Sequence, residues 1–218
     1  MATSAPELTA CGSGHGPAPH SSAGSRVPLE VIESPGALAS RREAQDLFDA
    51  ARDAFVRKDL ESAATALSDA ATFIRTEARA AGGDGAQALD RSADEFDLIA
   101  VRVAHGEIHA PDALNRAFAH AHAAEALHHL LRAHASVLKR DNVRAGEELL
   151  MSVDHLERAA NDARLQGDSL VEAAIADTRS LASEMVHGMD AVPDEAARVT
   201  DEIETAVRRI AAGTAAGT

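Results

Sequence analysis

Seven histidines fall between His105 and His134, and five of them lie on what reads as one uninterrupted helix, Leu114 to Lys139. The five are His120, His122, His128, His129 and His134. Imidazole is both a transition-metal ligand and the side chain that titrates near neutral pH, so chemistry is concentrated in this segment. At about 100° of rotation per residue, His120 and His134 share the direction of Leu127, Leu131 and Leu138. His122 and His129 point to the opposite side, close to Glu125, and His128 sits at the boundary. One metal ion cannot use all five.

The spacings of three and four from His122 to Glu125 and on to His129 let neighbouring side chains converge on one helical face. The candidate metal ligands are therefore His122, Glu125 and His129, with His128 adjoining. Cu, Ni or Zn would suit such an imidazole-rich set. The plainer reading of the same face is a solvated polar stripe. His120 and His134 are expected as hydrogen-bonded imidazoles on the apolar side; ~21 Å apart along the axis, they cannot share an ion. His105 and His187 each precede a glycine at a helix end. There an imidazole meets the negative end of the helix dipole, and glycine takes the left-handed position. His109 follows His105 by four residues, but Gly106 breaks the geometry a chelate would need.

Two Glu-x-x-His pairs, Glu125/His128 and Glu184/His187, have the spacing used by ferritin-like di-metal bundles. Glu43 and Glu148 would be the completing carboxylates, although no spacing selects them. There is no glycine-rich phosphate loop and no serine-centred nucleophile elbow. The expectation is a non-catalytic protein.

The elements that must position these residues are helices. Apolar content is 45%, mostly Ala, Leu and Val, with five Phe and no Trp or Tyr. Ala loses no side-chain entropy in a helix, and small side chains imply close helix packing with little room for a bulky ligand. Three- and four-residue apolar spacing predicts helices over 41–57, 60–81, 86–105, 114–139, 143–165, 169–187 and 193–211. Gly82-Gly83-Asp84-Gly85 reads as a break, and Ser169 with Glu172 as a capping box. The formal charge of −14 repels phosphate backbones, and stacking aromatics are scarce, so nucleic-acid binding is excluded. No apolar run reaches the roughly eighteen residues that cross a bilayer.

Sliding the chain against itself by 82 residues aligns 43–106 with 125–188 without gaps, with about 12 of 64 positions identical. Arg57-Lys58-Asp59 meets Lys139-Arg140-Asp141, and His105-Gly106 meets His187-Gly188. The expected fold is all-α: a bundle of about seven helices, made of two three-helix units and a C-terminal helix. It spans 38–212 as a single domain, between a disordered Gly/Pro/Ser/Ala/His-rich tail (1–37) and a short disordered end (213–218).

The one cysteine, Cys11, lies in Leu8-Thr9-Ala10-Cys11-Gly12-Ser13. That stretch resembles the lipobox of bacterial lipoproteins, which implies acylation of Cys11 and a lipid anchor. Met1 to Glu7 shows neither a basic nor an apolar export region. The location reads as cytoplasmic as written, or cell envelope with an upstream signal. The run Leu114-Asn115-Arg116-Ala117-Phe118-Ala119-His120-Ala121-His122, continuing to Leu127-His128-His129, resembles bacterial helical envelope proteins of uncharacterised role. More loosely, the Ala-rich helices with Lys/Arg-Asp turns are similar to YfdX-type stress proteins. That kinship implies an extracytoplasmic stress or scaffold role. The residues themselves suggest an acidic, histidine-rich binding surface for a protein partner or for self-association. Protonating its eleven histidines would move the charge toward −3 in acid. Transition-metal binding or storage on the central helix is the competing reading, and a di-metal enzyme the third.

Overall fold

The computed structural model describes residues 35–81, 83–190 and 193–215, and every regular element among them is an α-helix. In chain order these are α1 (Pro35–Val56), α2 (Leu60–Ala81), α3 (Gly83–Ala104), α4 (Asp112–Leu138), α5 (Asn142–Asp162), α6 (Ser169–Val186) and α7 (Pro193–Ala215). Cys11 and the lipobox-like stretch lie outside the described residues.

Local chemistry sets the helix ends. Asp59 accepts from the Ser62 amide at 3.2 Å, and Asp141 from the Arg144 amide at 3.1 Å. Each carboxylate thereby satisfies one of the orphan amides of a helix start. The residues before them, Lys58 and Arg140, take the left-handed conformation with φ of 62° and 59°. Gly106 and Gly188 do the same after α3 and α6, as expected from the His-Gly pairs. The 82-residue offset extends into the turn hydrogen bonds. Gly106 N donates to Val103 O and Glu107 N to Arg102 O; Gly188 N donates to Met185 O and Met189 N to Glu184 O.

Two local expectations are corrected. The N-cap of α6 is Asp168, whose carboxylate accepts from Leu170 and Val171, so Ser169 is already helical. The glycine run is a shorter break than its composition suggests, because α3 begins at Gly83. Gly85 then lies inside the helix, and its missing side chain lets α4 come close. A Cβ there would stand 3.3 Å from Leu131 Cδ1 and 3.5 Å from His128 Nδ1.

α4 is the central rod, packing against α3, α5 and α7. Its N-terminal half joins a core with α1, α2 and α3, in which Phe48, Phe96 and Phe118 are mutually within 5.7 Å between ring centroids. Its remaining apolar positions join α5, α6 and α7 in two further clusters, one around Leu156 and Ile210, the other around Leu130 and Ile203. A helix enclosed this way has no single inward face. The expected apolar direction of α4 is accordingly corrected: Leu131 is 38% and Leu138 86% exposed, and His134 is also exposed. The stripe expected to be solvated is the buried one.

Close approach of α5 to α6 depends on Gly146, where a Cβ would come within 2.8 Å of Ala182 O, Val186 N and Val186 Cγ2. Two of those atoms are backbone and can move only with the helix. Gly146→Ala should therefore destabilise the fold by about 1–3 kcal/mol, the range for overpacked cores, despite alanine's better helix propensity. Urea denaturation checks this, and a stabilised variant would contradict the packing described.

Candidate metal centre

α4 and α5 run antiparallel, and their facing side chains form a seam of polar groups. His122 meets His155, with Nδ1 to Nδ1 at 3.3 Å; Ser152 Oγ donates to Ala126 O at 2.8 Å; His129 meets Glu148 at 2.8 Å. Each step down α4 is matched by a step up α5. His122 and His129 are seven residues apart, about 10 Å along their helix axis. His155 enters from α5 between them, its ring centroid 5.5 Å from His122 and 5.4 Å from His129, the latter pair stacked at 16°.

One ligand atom from each of Glu125, His129 and His155 lies within 4.8 Å of the other two. The sequence-derived set therefore divides. Glu125 and His129 come together, His155 joins them from another helix, and His122 stands behind His155. His128 turns toward α3, where its Nε2 is buried without a hydrogen-bond partner. Contrary to a surface location, His122, Glu125, His128 and His155 are all buried. The reason is α5, whose own polar residues Glu148, Ser152 and His155 let it pack on the polar side of α4. Of the residues in the alternative di-metal pairing, Glu184, His187 and Glu43 are exposed, whereas Glu125 and His128 are buried.

Glu148 anchors the seam. It is 3% exposed, and its carboxylate receives His129 Nδ1 at 2.8 Å, Arg132 Nη2 at 2.9 Å and Arg144 Nη2 at 2.8 Å. Burial pushes its pKa up, but the His129 hydrogen bond and the guanidiniums of Arg132 and Arg144 outweigh it and hold the group below the usual carboxylate range. A carboxylate can only accept, so His129 Nδ1 carries the proton, leaving Nε2 as the nitrogen able to ligate. This is the carboxylate–imidazole arrangement that orients metal-binding histidines.

Around the cluster, burial favours neutral forms. Burial, assisted by Glu77, pushes Glu125 up to about 8. Burial, with Arg158 and Arg52, lowers His122 to about 3. Burial, with His129 and Arg132, lowers His128 to about 4, opposed by Glu148. These two histidines are therefore neutral at pH 6.5, which narrows the acid swing expected from composition. His120 and His134 have a different task. His120 Nδ1 meets Glu95 at 2.8 Å and its Nε2 meets Thr214 at 2.7 Å, while His134 Nε2 meets Thr200 at 2.7 Å. Both histidines brace α7 against α4.

His155 is the site residue that single-helix reasoning misses. A signal was present in Glu148, Ser152 and His155, polar residues spaced four and three beside the Leu149–Val153–Leu156 stripe. Comparison with protein-family models, curated proteins and solved structures returns no match, so the site is read on this chain's own geometry.

The burial of Glu125 and His122 predicts a bounded pH optimum for the metal-free protein. Glu125 ionises near 4.3 when unfolded but near 8 when folded. Across that interval the unfolded chain has lost a proton that the fold retains, so stability falls as pH rises, by on the order of 4–5 kcal/mol in full. His122 acts oppositely, losing stability as pH falls from about 6.5 toward 3. Thermal midpoints should therefore drop between pH 6.5 and 8.5, and Glu125→Gln should flatten that alkaline limb. An equally steep limb in the variant would show that another group causes it.

Proposed function

We propose that the protein binds one transition-metal ion of the Zn, Cu or Ni class at Glu125, His129 and His155, in a non-catalytic binding or storage role. The observation that carries this reading is the convergence of those three ligand atoms within 4.8 Å, from two helices, inside a packed interface. Two imidazoles and a carboxylate suit such ions, whereas Mg or Ca would call for oxygen ligands. Glu148 supports the reading further, because it fixes His129 in the tautomer that presents Nε2.

Three protein ligands leave a fourth tetrahedral position for water or another donor. Glu125 must release its proton to ligate, so uptake liberates protons and strengthens as pH rises toward 8. The resemblance to envelope stress proteins implies a stress or scaffold role and does not bear on metal. The chemistry of the seam supports metal binding.

Calorimetric titration of tag-free protein with zinc, copper(II) and nickel salts tests the proposal. Saturable binding of one ion per chain is expected, lost in the His129→Ala/His155→Ala double variant. Glu148→Gln should retain the stoichiometry with affinity weakened by about 10- to 100-fold, the usual consequence of removing an orienting partner. A folded wild-type chain that takes up none of the three ions would end the proposal.

A further inference from the structure

We propose that the cleft between α1 and α5 is the port through which the metal ion reaches this buried centre, with His122 as the relay imidazole; this rests on the metal-binding reading above. The cleft has a volume of about 350 Å³ and is walled by Gln45, Phe48 and Arg52 of α1 and by Asp154, Arg158 and Asp162 of α5, among others. His122 of α4 also lines it. That imidazole is 3% exposed and packed edge-on against Phe48 at 5.1 Å between centroids. Its Nδ1 is 3.3 Å from Nδ1 of His155, itself a member of the centre. One side chain thus touches both the solvent-connected cleft and the ligand set.

The wall offers carboxylate oxygens to an entering ion. Asp154, Glu157 and Asp162 stand beside the two guanidiniums of Arg52 and Arg158, and Glu157 is paired with Arg179 at 2.9 Å. Arg52 holds Asp162 at 2.8 Å and Asp49 at 3.3 Å, and Arg158 holds Gln45. The Arg52–Asp162 and Arg158–Gln45 pairs each cross from α1 to α5, forming two straps over the cleft. An ion entering beneath them meets carboxylates, then the imidazole of His122, then His155.

The experiment follows exchange as well as equilibrium. Zinc is loaded onto wild-type protein, His122→Phe and Gln45→Ala; uptake is timed with a zinc-sensitive dye and extraction with excess chelator. His122→Phe keeps an aromatic ring against Phe48 but removes the relay nitrogens. It should bind one zinc per chain with uptake and extraction both slowed at least tenfold. Gln45→Ala removes one strap without touching an imidazole and should speed both rates severalfold; it decides the matter if His122→Phe does not fold. Unchanged rates in a folded His122→Phe protein would overturn the port and point to entry on the side of His129. Loss of zinc stoichiometry in that variant would make His122 a ligand and overturn the relay, while leaving the metal reading standing. Absence of zinc binding by the wild type would remove both.

Discussion

The structure depends on keeping the carboxylate of Glu148 satisfied between two helices. Removing a charged carboxylate from water costs several kcal/mol unless opposite charges and hydrogen bonds replace the lost hydration. Here His129 and Arg132 of α4 and Arg144 of α5 supply them, each within 2.9 Å. Those bonds can all form in only one register of α4 against α5. The same register brings Ser152 to the Ala126 carbonyl and His155 beside His122. The interaction that aligns the seam is therefore the one that builds the centre.

Small residues make such a seam affordable. Ala126, Ala145 and Ala159 are fully buried, and Gly146 lets α6 lie directly on α5. Backbones this close leave no bulk to separate the helices, so polar side chains reach partners across the interface instead of being stranded. α4 takes part in both halves of the core, stacking Phe118 on Phe48 at 5.1 Å near one end and packing Leu130 with Leu181 and Ile203 near the other. The centre lies between those regions, held on a helix anchored at both ends.

Burial also determines the resting chemistry. Near pH 6.5 burial holds Glu125 protonated and His122 and His128 neutral, while Glu148 stays ionised within its network. A neutral group costs less to enclose than a charged one. Among the described residues, three histidines outside this region brace the fold: His120 and His134 pin α7, and His187 closes the end of α6 by bonding the Ser183 carbonyl.

Apolar spacing, alanine content and breaker residues were enough to read an all-helical chain, and most helix ends fell within a few residues of their observed places. Those features are local, since helix formation depends on neighbours three and four positions away. The 82-residue offset was legible for the same reason: Asp caps and His-Gly ends write their turns directly into the sequence. Glu125 and His129 could likewise be paired from their spacing on one helix. What spacing could not supply was the environment of that face. A helical wheel separates polar from apolar directions but cannot know that a second helix brings Glu148 and His155 to the polar side. Only packing against α5 turned a stripe expected to meet water into an enclosed centre, because burial is a property of two surfaces and never of one.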